Sequence, residues 1–177
     1  TPEDLQQTVA AVEELDRRGG SRVADVRDSA ALRAAVADGV TELGRLDIVS
    51  ANAGVFEIHP ALELADEDWQ EMIDINLTGV WNTCRAALPY LVDGGGGSIV
   101  ITSSTAGLKG TPGTVHYSAA KHGVVGIMRT LANEFAAHSV RVNTVHPTGV
   151  DTVMIQNPKT WGLSLIHISE PTRRYAI

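Results

Sequence analysis

Ser98-Ile99-Val100-Ile101-Thr102-Ser103 is the stretch that decides the fold. It is short, its centre Ile99-Val100-Ile101 is continuously apolar, and the glycine run Gly94-Gly95-Gly96-Gly97 before it reads as a flexible turn. A strand with one wet face alternates apolar and polar residues, whereas a continuous apolar run is expected when both faces are covered, as in a parallel sheet. The flanking segments supply the covering helices. On the amino side the spacing predicts a long helix over 66–91, capped by Asp66, with Trp69, Met72, Ile73, Asn76, Val80, Cys84, Leu88 and Leu91 as its buried stripe. On the carboxyl side a loop with Gly107, Gly110, Pro112 and Gly113 leads into another long helix that ends near His138, followed by a strand over 140–145.

Further out, a strand over 46–50 follows a helix capped by Asp28 or Ser29, striped by Leu32, Val36, Val40 and Leu43, and stopped by Gly44. Before that lie a predicted strand over 21–26 and a first helix over 2–18. Thr1 is the N-cap of that helix, Pro2 its first residue, and Gly19-Gly20 its end. Helix and strand thus alternate four times, the pattern of a Rossmann-type, doubly wound parallel α/β sheet built from right-handed crossovers.

Composition narrows the function. The 177 residues carry a formal net charge of -7, which argues against nucleic acid as a partner. The single cysteine, Cys84, permits no intrachain disulfide and suits a reducing, cytoplasmic home. No apolar run is long enough to span a membrane, so no membrane partner is expected. The histidines His116, His122, His138 and His146 follow no metal-ligand spacing; they read as surface or packing residues, and no metal is expected. Trp69 and Trp81 read as core or subunit contacts.

In open parallel sheets ligands bind beyond the carboxyl ends of the strands, so each strand exit is a test. The exits are Asp25-Val26, Asn52-Ala53-Gly54, Ser103-Ser104 and His146-Pro147-Thr148-Gly149, each polar or glycine-bearing. Tyr117-Ser118-Ala119-Ala120-Lys121 then sets a phenol and an amine four apart, on one helix face. A free tyrosine, with a pKa near 10, is a poor base; moving it to about 7 takes roughly 4 kcal/mol. A lysine charge in a partly dry cleft, aided by an oxidised nicotinamide ring, is a source for that. By chance such a pair arises roughly once in twenty chains of this composition, so its weight comes from the strand exits around it.

Asp25-Val26, Asn52-Ala53-Gly54, Asn76 in Asn-Leu-Thr-Gly, Ser104, Tyr117-x-x-x-Lys121 and Pro147-x-Gly149 together resemble the short-chain dehydrogenase/reductase family from about Thr1 to Met154. The stretches 77–83, 103–110 and 146–152 resemble its mycofactocin-coupled, carveol-dehydrogenase-like branch, which uses NAD that can stay bound. The resemblance implies an oxidoreductase that moves hydride between a secondary alcohol or ketone and NAD, with NADP not excluded, and a parent homotetramer built through its long helices. It implies Tyr117 as general acid/base, Ser104 as the hydroxyl that steadies the substrate oxygen, Lys121 as the partner of Tyr117 and of the nicotinamide ribose, and Asn76 as holder of a water that links Lys121 to solvent. Asp25 and Val26 are implied at the adenine, Asn52, Ala53 and Gly54 along the cofactor, and Pro147, Gly149 and Thr152 beside the nicotinamide. Structural readings compete: Asn76 as a side chain satisfied by backbone, and Asp25 as a strand-end cap.

The family pattern also calls for a Thr-Gly-x-x-x-Gly-x-Gly turn where pyrophosphate meets a helix N-terminus. Residues 1–154 therefore read as a partial Rossmann domain without the first βαβ unit and the last strand, 155–162 as the start of a substrate loop, and 163–177 as a non-native tail resembling a translated sequencing adapter. On this reading the strand over 21–26 is unpaired or mispaired, and the remaining sheet has a bare, apolar edge. Two alternatives follow: a catalytically silent fragment that lacks the glycine loop, and an epimerase or dehydratase sharing Tyr-x-x-x-Lys, which the serine spacing and Pro-x-Gly disfavour.

Overall fold

The three strands β1 (Ile48–Ala51), β2 (Gly97–Thr102) and β3 (Val140–Val145) form one parallel sheet in the order β1-β2-β3. This is a computed structural model, and it describes residues 2–152, 154 and 156. The predicted substrate loop from residue 157 on and the 163–177 tail lie outside the described residues. In register, Ile48 faces Ser98, Ala51 faces Ile101, and Thr102 faces Val145. Parallel neighbours need long crossovers. The first is α3 (Asp66–Ile73), a π-helical turn (Asp74–Thr78) and α4 (Gly79–Asp93); the second is α5 (Val115–Glu134). Ahead of the sheet stand α1 (Pro2–Glu13) and α2 (Ser29–Leu43), with α2 resting on α4.

Both crossovers step the same way across the sheet, and right-handed connections then place their helices on one face. Ile99 and Ile101 point into that face and are fully buried, packed with Cys84, Leu88 and Leu91 of α4 and Val124 of α5. Ser98, Val100 and Thr102 alternate onto the other face and are only half buried. The expectation that β2 is covered on both faces therefore holds fully for one face.

The long helix expected over 66–91 is one continuous run with a π-helical turn inside it. Its buried positions Met72, Asn76, Val80, Cys84 and Leu88 are spaced by four. On a 3.6-residue helix that spacing drifts by about 40° per step, and a wider turn takes up the drift. Asp66 is the first helical residue rather than the cap; Ala65 holds the cap position without a side-chain bond. Trp69, expected in the stripe, is half exposed on the solvated, acidic first turn of α3. At α2 the cap is Asp28, whose carboxylate accepts from Ala30 N and Ala31 N at 2.9 and 3.0 Å. Gly44, at φ 98°, ends that helix in the left-handed conformation that glycine tolerates best.

Two expectations at the amino end are corrected. The first helix stops at Glu13, not at 18, because Asp16 turns left-handed (φ 57°) ahead of Gly19-Gly20. The predicted strand over 21–26 does not form: β1 pairs only with β2 among the described residues, and Val23 is 82% exposed. A strand is stable only with a partner for its backbone N–H and C=O groups. Here the segment is held to α2 by side chains instead, through Arg22 to Glu42 at 2.7 Å.

Candidate active site

Lys121 is a buried charge held between a helix and a strand tip. Its side chain lies on α5, 3% exposed, and its Nζ donates to the carbonyl of Thr102, the last residue of β2, at 2.8 Å. The Ser103 hydroxyl donates to the Lys121 carbonyl at 2.9 Å. Gly107 completes the clamp, since a Cβ there would stand 2.6 Å from that carbonyl. Tyr117, one turn earlier and buried, presents its ring to the ammonium with 5.6 Å between Nζ and the ring centre. Phe56, from the loop after β1, meets the Tyr117 ring edge-on at 4.9 Å.

Ser104 sits at the tip of β2 as the cap of a short 3-10 turn (Thr105–Gly107), its Oγ accepting from Ala106 N at 3.1 Å, and it acts on the Tyr117 phenol as a hydrogen-bonding neighbour. Ser103 and Ser104 thus divide their tasks, one locking α5 to the strand and the other facing the phenol. The tip of β3 fixes this loop. His146 donates from Nδ1 to the Ser104 carbonyl at 2.8 Å, so its Nε2 accepts from the Thr144 hydroxyl at 2.9 Å. Thr105 N donates to the Pro147 carbonyl at 3.0 Å.

Asn76 is fully buried on the π-helical turn, a feature frequent at functional sites. Its Nδ2 donates to the carbonyls of Val55 (3.0 Å) and Met72 (3.2 Å), while its Oδ1 accepts from Val55 N at 3.2 Å. These are bonds to backbone, the structural reading of this residue, and they fix the loop after β1 in place. A Cβ at Gly54 would stand 2.6 Å from Asn76 Oδ1 and 3.6 Å from Lys121 Nζ, so glycine is what lets strand exit, amide and ammonium meet.

The electrostatics differ from the expectation in one respect. Burial pushes the Tyr117 phenol above its usual 10, partly offset by Ser104, and burial brings the Lys121 ammonium down to about 8. In this state Tyr117 is a neutral phenol beside a cationic lysine at neutral pH.

The remaining sequence-predicted residues lie along the strand exits. Asn52, Ala53, Gly149 and Thr152 are exposed, and Gly54 and Pro147 half buried. Asn52 Oδ1 accepts from the Thr102 hydroxyl at 2.9 Å. Val26 packs so closely on Gly79 that a Cβ there would lie 2.6 Å from its Cγ2, and its carbonyl accepts from Asn82 at 3.0 Å. Asp25 is exposed and gripped by Arg27 at 2.6 Å, which holds its carboxyl down at about 2. The nicotinamide-ribose end of a dinucleotide fits what is present: Lys121 has spent one of three donor hydrogens, and the bare glycine beside it admits close approach.

Sequence reasoning missed Phe56, Thr102 and His146. Thr102 and Phe56 act through a backbone carbonyl and a ring edge, which leave no pattern in the chain. His146 did leave one, standing at a strand exit directly before Pro147. His122 and His138 are exposed, as surface residues, whereas His116 is wholly buried.

The short chain dehydrogenase family model matches residues 1–162. The chain is 54% identical over 176 residues to (-)-trans-carveol dehydrogenase of Rhodococcus erythropolis, covering 98% of this chain and 63% of that protein. Its structure is similar to the crystal structure of carveol dehydrogenase from Mycobacterium avium in complex with NAD (TM-score 0.91, 52% identity, 94% of this chain and 61% of that one). It is also similar to a short chain dehydrogenase from Mycobacterium paratuberculosis bound to NAD (TM-score 0.90, 44% identity, 97% and 64%). The chain spans less than two thirds of the length of these relatives. A family match across nearly the whole chain and identity above one half to a curated relative agree with the strand-tip cluster: the chain belongs to the short chain dehydrogenase family.

Proposed function

We propose that this protein is an NAD-linked oxidoreductase that interconverts a secondary alcohol and a ketone. The observation that carries the reading is the convergence of Ser104, Tyr117 and a buried, clamped Lys121 on one strand tip. NAD is supported by the two similar structures that hold it. When bound, the cofactor supplies or accepts the hydride.

The chain's own residues manage the oxygen and its proton. In reduction, the carbonyl oxygen lies between the Ser104 hydroxyl and the Tyr117 phenol. Tyr117, neutral at physiological pH, gives its proton to the oxygen as negative charge develops there. Ser104 steadies the same charge by a preorganised hydrogen bond, its own loop fixed by His146. Lys121 stabilises the phenolate left behind and restores its proton. In oxidation the steps reverse, and Tyr117 starts as phenolate. Asn76 positions the loop that forms the floor of the site, and with it the water path proposed to feed Lys121. Asp25 and Val26 are read at the adenine end, Asn52, Ala53 and Gly54 along the cofactor, and Pro147, Gly149 and Thr152 at the nicotinamide. A cavity of about 330 Å³ beside Phe56 has apolar walls from Val55, Met72 and Met154 and a carboxylate side from Glu57, Asp68 and Glu71, room for a small substrate body. The finer reading, a mycofactocin-coupled, cytoplasmic homotetramer assembled through α4 and α5, rests on the motif resemblance; among the described residues no helix is long and apolar enough to cross a membrane.

The test is a pair of measurements on the full chain. NADH fluorescence titration is expected to show saturable binding, and carveol with NAD is expected to give turnover that Tyr117→Phe lowers at least a hundredfold. Tight binding defeats the silent-fragment alternative, whereas absence of both binding and turnover supports it and overturns the assignment for this chain.

A further inference from the structure

A second cluster lies one loop away from the catalytic one. The loop after β1 presents Glu57 and His59, and the first turn of α3 presents Asp68; one ligand atom from each lies within 4.8 Å of the others. His59 Nε2 donates to Glu57 Oε2 at 3.2 Å, and its Nδ1 stands 3.8 Å from Asp68 Oδ2. The loop is anchored, for His59 N donates to the Gly113 carbonyl at 2.9 Å.

Against this cluster packs an unsatisfied group. His116, on the first turn of α5, is 0% exposed, and among the described residues neither of its ring nitrogens has a hydrogen-bond partner. Buried polar atoms are bonded in the great majority of cases, so such a ring calls for an explanation. It meets the His59 ring at 83° with 5.6 Å between centres, and the charges of His59, Asp68 and Glu57 all act on it. Two imidazoles on one tetrahedral ion, each nitrogen about 2.1 Å from the metal, have ring centres about 5 Å apart. The observed pair is already close to that spacing. Ligand atoms on such an ion are about 3.4 Å apart, so for Glu57, His59 and Asp68 the contraction from 4.8 Å is a matter of side-chain rotation on an anchored loop, while His116, outside that group of three, must turn a ring nitrogen toward it.

We propose that Glu57, His59, Asp68 and His116 form a divalent transition-metal site of zinc type, two imidazole nitrogens and two carboxylate oxygens. The donor set suits zinc, and two carboxylates balance a divalent charge. The chain positions 57, 59, 68 and 116 follow no metal motif, which is why spacing alone does not reveal the site. Glu57 and Asp68 also line the cavity beside Phe56, so a bound cation removes negative charge from its mouth. The site stands independently of the oxidoreductase reading, because metal uptake is read without turnover.

The experiment is titration of the metal-free full chain with Zn²⁺ by calorimetry and with Co²⁺ by visible absorption. One equivalent of Zn²⁺ and the intense ligand-field bands of tetrahedral Co²⁺ are expected. Asp68→Asn, a near-isosteric surface change, and His59→Ala are each expected to weaken binding about tenfold or more. His116→Phe, which keeps a buried ring, is expected to weaken it and to alter the Co²⁺ spectrum, while His122→Ala on the exposed face leaves both unchanged. No stoichiometric uptake, or uptake that survives Asp68→Asn and His59→Ala, overturns the proposal. A Co²⁺ spectrum indifferent to His116→Phe overturns the four-ligand set.

Discussion

Residues 2–45 and residues 48–145 carry the same kinds of pattern, and the chain treats them differently. Both contain amphipathic helices with recognisable starts and stops. Every fully buried side chain among the described residues belongs to the second region; in 3–45 the apolar faces are at most partly buried. The difference is the sheet. Helices α4 and α5 have β2 to lie on, whereas α2 has only another helix, and the segment before it has no strand partner. Periodicity says which face of a helix is apolar, but burial depends on what covers that face. The cluster proposed as catalytic sits in the second region, and the residues proposed at the adenine end lie in the first.

The largest test of that contrast is a pair of leucines. Leu91 is 0% exposed at the centre of the core, and Leu15 is 74% exposed just past α1. Leu91→Ala is expected to cost about 2–5 kcal/mol, from lost burial and the cavity left behind. Leu15→Ala is expected to stay within about 0.5 kcal/mol. Denaturant unfolding checks both; equal effects would mean that the two regions share one core.

The second test asks what the site costs the buried region. Lys121 titrates at about 8 when folded and at 10.5 ordinarily, because burial penalises its charge. Below pH 8 it is charged in both states, and the penalty stands in full. Between pH 8 and 10.5 the unfolded chain holds more protons, so stability rises with pH through that window. A neutral side chain of similar length removes the penalty. The shift corresponds to something on the order of 3 kcal/mol, and the bond lost to the Thr102 carbonyl returns about 1 kcal/mol. Lys121→Met is therefore expected to be more stable than the parent by on the order of 2 kcal/mol at pH 7, and to lose turnover. Thermal unfolding at pH 7 and pH 10 checks it: the gain should shrink at the higher pH. A destabilised Lys121→Met would show that the ammonium is a structural tie rather than a strained functional group.

How much of this was legible follows the same boundary. The strand over 140–145 is legible through Val140, Val142 and Val145 between turn signals, and the stripe Met72 to Leu91 through its helical spacing. The strand expected over 21–26 carries valines too, at Val23 and Val26, and does not form, because a strand's existence depends on a neighbour that its own residues do not encode. In the site, Tyr117 and Lys121 are legible through helical spacing, and Ser104 through its place at a strand tip. Illegible were contacts made by backbone or by rings: the Thr102 carbonyl under Lys121, the Phe56 edge on Tyr117, the His146 bond behind Ser104. Spacing likewise reveals the charge beside Tyr117 but not the depth of burial, which pushes its phenol upward where no cofactor is bound.

A third test concerns the hinge between strand exit and helix. Gly54→Ala puts a methyl group 2.6 Å from Asn76 Oδ1, on an amide already bonded to Val55 and Met72. Neither side has slack, so the expected cost is about 1–3 kcal/mol of overpacking. Loss of NADH affinity is expected to accompany it. A variant of full stability that still fails to bind would mean that the glycine serves the ligand alone and that Asn76 can give way.

The smallest effect bears most directly on whether the two regions unfold together. Asp28 caps α2 through two backbone N–H groups, and its removal in Asp28→Ala is expected to cost about 1 kcal/mol. Where that cost appears is the question. If α2 opens on its own, amide exchange in its first turns should quicken about fivefold, while the amides of β2 and β3 keep their protection. If α2 and the sheet form one cooperative unit, the slowest amides of β2 should quicken by the same factor, since their exchange then reports global unfolding. The absence of any fully buried residue on α2 favours the first outcome. Exchange of β2 amides accelerating in step with α2 would instead bind the exposed half of the molecule to the fate of its catalytic half.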